Sequence, residues 1–439
     1  MTPAQTGIAR VMAACLGLAV TSASAQTPLS LAEALARAAD HHPAATTARW
    51  DRRASEADAL GAAAAFLPRL SAELGGVRSD DPVAVFGTKL RQGRFTQADF
   101  TLEALNFPSP VTDVRTTLSL EQPLVQPEAW FGRRAARAGA EASRLVEERT
   151  GQVVAFDVIR GYFGARLAAD RVPVLEESLE AARRTLAQVE RLRAEGVVTV
   201  VDAQLARSRV SELEASLAAA GASKLAAADL LLESLGMPPG EPVELSDSLV
   251  LPEETTPDSS TRPDLAALRA ALAAQEAGVR RAQSQWIPSL AAFGSLSWHN
   301  RDFGLASGPS HWTAGLLLRW TPLRGLSDVG ALRRARADRE AARSHLDAME
   351  RHAQTERRAA AAQRDAAQAS YRAAEAALVQ ASQAARAANS RYTEGVATIT
   401  ELLAVRAAES SQRLARLQAL YEARVAGAAL VLARGGTPR

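Results

Sequence analysis

The chain holds a single cysteine, Cys15, and that cysteine sits inside an N-terminal stretch that reads as an export signal. Arg10 precedes an apolar run from Val11 to Val20, and Ala23-Ser24-Ala25 supplies a small-residue cleavage site before Gln26. The mature protein is therefore expected to begin at Gln26, with neither a disulfide framework nor thiol chemistry. Met12-Ala13-Ala14 fits a lipobox poorly and the apolar run continues past Cys15, which argues against lipidation. Charge of one sign is also lacking. The formal net charge is only +2, and the basic residues, almost all arginine, alternate with acids along helical patterns. That describes a solvated face rather than a nucleic-acid footprint. No second apolar run reaches the roughly 20 residues needed to cross a bilayer as a helix, so any passage through a membrane is left to strands. No nucleotide-binding glycine motif follows a strand, and no Ser/His/Asp or paired-carboxylate set can be placed in a pocket. Neither an enzyme nor a cofactor is indicated.

What the chain does have is a repeat. His42-Pro43 with Phe66-Leu67-Pro68-Arg69-Leu70 returns as Arg262-Pro263 with Trp286-Ile287-Pro288-Ser289-Leu290, both prolines displaced by 220 positions. Glu121-Gln122-Pro123-Leu124 returns as Trp320-Thr321-Pro322-Leu323, and Glu195-Gly196-Val197-Val198-Thr199 as Glu394-Gly395-Val396-Ala397-Thr398, displaced by 199. Similarity at fixed offset marks a duplicated structural unit, and the 21-residue difference between the offsets falls between Pro68 and Pro123. The expected organisation is a signal over 1–25, one repeat over 26–235, a Pro- and acid-rich linker over 236–262 and a second repeat over 263–434.

Each repeat opens with an Ala- and Arg-rich helix, about 44–66 and 264–286, closed by the downstream proline. The period then changes to alternation. Leu70, Ala72, Leu74 and Gly76 share a face, as do Val114, Thr116, Leu118 and Leu120. In the second copy the sets are Leu290, Ala292, Gly294, Leu296 and Trp298, then Trp312, Ala314, Leu316 and Leu318. Strands are expected near 69–79, 113–122, 289–298 and 312–321. Trp312 and Trp320 stand on one face roughly 26 Å apart, the height of the apolar band on an outer-membrane strand with aromatics at both interfaces. An ordinary hairpin of a soluble sandwich explains the same alternation. The extra residues, Asp80 to Asp113, read as an ordered loop whose aromatics pack locally.

A helical pattern of about 67 residues follows in each copy, roughly 100 Å at 1.5 Å per residue. Pro173 is expected to kink the first. Leu175, Leu179, Ala182, Leu186 and Val189 form a coiled-coil seam that continues through Val210, Leu213, Leu217 and Ala220 on a returning helix. The tight turns between them use Gly196 and Gly395 to close the incoming helix. Thr199 and Thr398 cap the outgoing one, with Asp202 and Glu401 three positions later as capping boxes. Opening plus returning helix nearly equals the long one, so two shorter helices could stack end to end beside it.

A bilayer core satisfies no backbone hydrogen bonds, and single-chain barrels need about eight strands or more. Four membrane strands therefore require self-association into a closed ring. In the order of these motifs the whole mature chain resembles the outer-membrane efflux proteins, the TolC family of channel-tunnels. The resemblance rests on Leu29-Ser30-Leu31-Ala32-Glu33-Ala34-Leu35 with His42-Pro43, the two helix-Pro-strand junctions, Gln122-Pro123-Leu124 and both hairpin tips.

The resemblance implies a mainly α fold with a β-barrel part. Three chains form a homotrimer with one twelve-stranded outer-membrane barrel, four strands per chain, continued by a periplasmic α-helical tunnel. It implies a passive exit duct for solutes or polypeptides, without cofactor. The partners would be a periplasmic adaptor (membrane fusion) protein and an inner-membrane transporter, in a tripartite efflux or type I secretion system. It places Gly196, Thr199, Gly395 and Thr398 at the tip and in adaptor contact. Asp202, Glu401 and Tyr392 become gate candidates, Glu401 the better acid, with Ala404 and Ala397 departing from the family pattern. Trp298, Trp312 and Trp320 become membrane-interface aromatics. A soluble periplasmic coiled-coil scaffold or adaptor is the alternative. His345, Met349 and His352 share a helix face but lack the further soft ligands a copper or silver site needs.

Overall fold

The computed structural model describes residues 27–251, 262–304, 306 and 308–439. The expected export signal with Cys15, the cleavage site before Gln26 and part of the linker lie outside the described residues. The described chain opens with strand β1 (Thr27–Leu29) and helix α1 (Leu31–His41), which the sequence reading did not resolve. Ser30 and Glu33 cap α1 reciprocally, and it stops at His42 because the residue before proline is driven to extended backbone. Pro43 then opens α2 (Pro43–Ala64), where its missing N–H is harmless.

Strand β2 (Arg69–Ser79) follows Pro68. The extra segment of the first repeat folds as helices α3 (Pro82–Arg91) and α4 (Leu102–Asn106) rather than a plain loop. Its aromatics do pack on one another, Phe86 on Phe95 and Phe95 on Phe100 edge to face, with ring centroids 4.7 and 5.1 Å apart. Strand β3 (Val111–Val125) returns and leads directly into α5 (Pro127–Ala194), a tight turn and α6 (Val200–Ser234). A short strand β4 (Val243–Leu245) pairs in parallel with β1. The same order then recurs as α7 (Pro263–Gln283), β5 (Ser289–Asn300), β6 (Ser310–Arg319), α8 (Ser327–Thr393) and α9 (Ile399–Ala433).

The two long helices organise everything else. α5 packs against α2 and α6 on one flank and against α7 and α9 on the other, and α8 lies along α7 and α9. α2 and α6, of 22 and 35 residues, thus share the length of the 68-residue α5, and α7 and α9, of 21 and 35, that of the 67-residue α8. α5 stays continuous through Pro173. Leu175, Leu179, Ala182 and Leu213 are buried in one seam with Val210, Leu217 and Ala220, as their heptad spacing requires.

One sequence inference is corrected. α6 contains an 18-residue window of mean hydropathy 1.3 with few charges, enough by length and composition to span a bilayer. Its apolarity comes from alanine rather than an unbroken run of large side chains. It runs beside α5 in the hairpin with only 11% of that window buried inside the chain. Leu205, Leu225 and Leu230 are left exposed on it.

Two polar clusters pin the middle of the column. The Tyr162 hydroxyl donates to the Leu29 carbonyl at 2.8 Å and Asp247 accepts the Leu31 N–H at 2.6 Å, fastening the N-terminal strand to α5. Arg262, 5% exposed, reaches Asp264 and Glu356, each at 2.7 Å, and the Ala433 carbonyl at 3.2 Å. Arg149 adds a bond to the Leu432 carbonyl at 2.8 Å. Two cations therefore cap the C-terminus of α9 where it meets the start of α7, complementing the helix dipole. Burial alone would raise the Asp264 carboxyl, but hydrogen bonding and charge from Arg262 and Arg149 hold it below the usual aspartate range.

Candidate functional site

The residues expected to carry function fall in two regions: the sheet at one end of the helices and the two hairpin turns at the other. The four long strands form one antiparallel sheet in the order β2-β3-β5-β6. Its register is what alternation predicts. Leu70, Leu120, Gly294 and Ala314 lie in one cross-strand row, and Ala72, Leu118, Leu296 and Trp312 in the next. One face is thus apolar across all four strands, while Glu73, Arg115, Glu121, Ser295, Thr313 and Arg319 stand on the other. On that polar face Gly315 leaves room for Phe293, whose ring would meet an added Cβ at 3.0 Å. Leu70, Leu316, Leu318 and Trp312 are exposed, Trp312 by 78%. Trp298 falls in β5 on the apolar face, and exposed Trp320 follows β6, its indole donating to the Trp286 carbonyl at 3.2 Å.

The junctions beneath the sheet explain the Gln-Pro motif. Gln122 donates from Nε2 to the Phe66 carbonyl at 2.9 Å, tying the end of α2 to β3. At the opposite end of the strands, Gln92 donates to the carbonyls of Thr112 and Asn300. His299 meets Asp113 at 2.9 Å, and the rings of His299 and His311 approach to 5.8 Å. No local pattern signals this set, because only the strand register brings it together. His345 and His352 are exposed on α8.

At the tips both incoming helices close identically. Gly196, at φ +75, donates to the Arg193 carbonyl and Val197 to that of Leu192; Gly395, at φ +76, donates to Tyr392 and Val396 to Arg391. This double bond with a left-handed glycine is a Schellman closure. The outgoing caps differ. Thr199 and Asp202 form a full capping box, Asp202 accepting from the Thr199 N–H at 2.9 Å and hydroxyl at 2.7 Å. Thr398 caps Glu401 at 3.2 Å, but Glu401 does not reciprocate. Its carboxylate instead accepts from Arg391 at 3.0 Å across the turn. The expected second capping box is therefore only half formed, and the expected acid is half of an ion pair.

Tyr392, 8% exposed, is packed among Val189, Ala203, Ala388, Ile399 and Leu402, where the two hairpins meet. Its hydroxyl is buried without a hydrogen-bond partner among the described residues. Burial, then the charge of Asp202, push its pKa up. Higher up, the hairpins are joined by polar contacts that sequence inspection missed: Arg413 to Glu177 at 3.1 Å, Ser178 to Ser410 at 3.0 Å and Arg171 to Gln418 at 2.7 Å. A Cβ added at Gly196 or Gly395 would meet nothing within 4 Å, and Val197, Val200, Val201 and Val396 are exposed there.

Comparison with known proteins accounts for this arrangement. No curated protein sequence matches the chain. Among solved structures, a membrane protein from Pseudomonas aeruginosa superimposes with a TM-score of 0.79 at 20% identity, covering 92% of this chain and 93% of its own. The outer membrane protein VceC from Vibrio cholerae gives 0.76 at 18%, covering 93% and 97%. The CmeC outer membrane channel from Campylobacter jejuni gives 0.79 at 18%, covering 93% and 86%. The family model described as outer membrane efflux protein matches residues 34–237 and 259–436, most of the chain, and the chain belongs to that family.

Proposed function

We propose that three copies close one barrel, the β2 edge of each pairing with the β6 edge of the next, and that the assembly is the passive exit duct of a tripartite export system. The observation that carries this is the sheet itself: one face apolar over four strands, the other polar, and two edges without partners among the described residues. Strand direction alternates across β2-β3-β5-β6, so β2 placed beside a neighbour's β6 is again antiparallel, and twelve strands leave no edge in lipid. The flanks of the helical column agree. α2 and α6 stand at one side and α8 at the other, so a neighbour's α8 would cover the exposed leucines of α6. The tips, with Gly196, Thr199, Gly395 and Thr398 shaping them and exposed valines around them, are the surface for a periplasmic adaptor. Energy comes from an inner-membrane transporter. Tyr392, Asp202 and the Arg391–Glu401 pair form the periplasmic constriction, and Trp298, Trp312 and Trp320 seat the barrel in lipid. A soluble scaffold would leave the apolar sheet face in water.

The test is a pair of cysteines, Glu73→Cys and Thr313→Cys, with the single native cysteine replaced by Cys15→Ser. Within one chain β2 and β6 are three strand spacings apart, roughly 14 Å. A short bis-maleimide should therefore yield covalent dimers and trimers on a denaturing gel. Cross-linked monomers alone would refute the closure.

A further inference from the structure

At the membrane end of α5 three guanidinium groups collect without a paired carboxylate; the acid in the first turn, Glu128, is engaged by Arg281 at 2.9 Å. Farther along the helix many arginines are paired: Arg144 with Glu141, Arg149 with Asp264, Arg166 with Asp170 and Arg183 with Glu214. Arg133, Arg134 and Arg137 have no acidic partner among the described residues, and Nε of Arg133 is buried without a hydrogen bond. With Phe66 and Trp130 they line a cavity of about 300 Å³. The Arg133 guanidinium lies 5.8 Å from the Phe66 ring centroid, and the Trp130 side chain is 66% exposed.

The direction of this cavity follows from helix geometry. Glu128, Gly132 and Arg133 line a groove shared with Ser289 and Arg319, residues of the polar sheet face, so Arg133 stands between the two sides of the helix. At about 100° per residue, Trp130, Arg134 and Arg137 fall on the opposite side of α5, outside the barrel and beneath its apolar face. Because α5 is flanked on both sides by helices of its own chain, α2 and α7, a second copy does not cover this position.

Its height fits a headgroup layer. α5 begins two residues after β3 ends, so Trp130 lies roughly 6 Å and Arg137 roughly 16 Å along the axis from the strand end. Helical side chains lean toward the N-terminus of their helix, here toward the bilayer. Long arginine stems and an indole at this depth have apolar bodies for acyl chains and polar ends for headgroups.

We infer that Arg133, Arg134, Arg137, Trp130 and Phe66 form a binding site for the phosphate of an anionic phospholipid in the periplasm-facing leaflet. Guanidinium forks match phosphate oxygens, and three unpaired cations favour a headgroup of net negative charge. A choline headgroup brings its own cation and leaves the three uncompensated.

Delipidated full-length protein in detergent is titrated with dioctanoyl phosphatidylglycerol, dioctanoyl phosphatidylcholine or inorganic phosphate, and bound molecules are counted by native mass spectrometry. One phosphatidylglycerol per chain is expected, with phosphatidylcholine and phosphate not retained. At about fivefold per cation, Arg133→Gln/Arg134→Gln/Arg137→Gln should weaken phosphatidylglycerol roughly a hundredfold. Arg183→Gln/Arg184→Gln/Arg193→Gln, far along the same helix, should leave it unchanged. The single exposed change Arg134→Gln, which disturbs no packing, should lower affinity about fivefold. Equal retention of the two lipids, displacement of phosphatidylglycerol by inorganic phosphate, or undiminished binding by the arginine variants would overturn the assignment.

Discussion

Neutralising one member of the Arg391–Glu401 pair should shift ion selectivity in a direction set by which member is removed. The two side chains are about half exposed and 3.0 Å apart. Such a pair contributes only about 0.2–1 kcal/mol to stability, so either substitution should leave the fold intact. In the proposed trimer its electrostatic effect is larger, because threefold symmetry triples it. Arg391→Gln leaves three unpaired carboxylates around the bore, and Glu401→Gln leaves three unpaired guanidinium groups. At roughly 8 Å from the axis each charge is worth about 0.5 kcal/mol to a passing ion in water. Three give about 1.5 kcal/mol, which screening at 0.1 M salt cuts to roughly half. Counter-ion concentration then rises about threefold and co-ion concentration falls about threefold. Reversal potentials in planar bilayers under a salt gradient should therefore show Arg391→Gln raising the cation-to-anion permeability ratio up to about tenfold. Glu401→Gln should lower it by a similar factor, and the double variant should return near the wild type. At 1 M salt the differences should nearly vanish. Two single variants that move selectivity the same way, or a double variant that stays displaced, would refute the pairing as the source of the field.

Replacing Gly196 or Gly395 by alanine meets no steric contact but forces a left-handed residue, and should cost about 1–2 kcal/mol each in thermal unfolding of the detergent-solubilised protein. Tyr392→Phe removes a hydroxyl without a partner and should leave stability unchanged or raise it by about 1 kcal/mol; a clear loss would mean that a neighbouring subunit supplies the missing bond. Arg262→Met takes the hydrogen-bonded cation from Asp264 and Glu356, leaving Asp264 only Arg149 at 3.8 Å, and should destabilise by about 3 kcal/mol, seen as a lowered denaturation midpoint. Because the Asp264 carboxyl titrates below its ordinary value of 3.8 in the fold, its contribution is complete above about pH 4 and is lost as the pH falls lower. Asp264→Asn should remove that part of the acid sensitivity, as measured by unfolding between pH 5 and 2.

The parts of the fold legible in the sequence are those where a local rule leaves little choice. Alternation assigned each strand residue to a face, and pairing placed Leu70, Leu120, Gly294 and Ala314 in one row. Gly196 and Gly395 marked turns because the closure needs a left-handed residue. What was not legible depends on partners distant in the chain. β1 and β4 are three residues each, with no period to read and more than 200 residues between them. His299 meets His311 only through the β5–β6 register, and Arg262 reaches Glu356 only because α7 lies on α8. The spacing of Thr398 and Glu401 predicts a reciprocal cap that only half forms, because a stronger charged partner, Arg391, takes the carboxylate.

The claim on which the function rests is that lipid-facing strands of separate chains complete one barrel. Native mass measurement of the purified protein in detergent tests it most directly. Three chains per particle, stable only with detergent present, is the predicted result; a single chain that stays dissolved in plain buffer would contradict it.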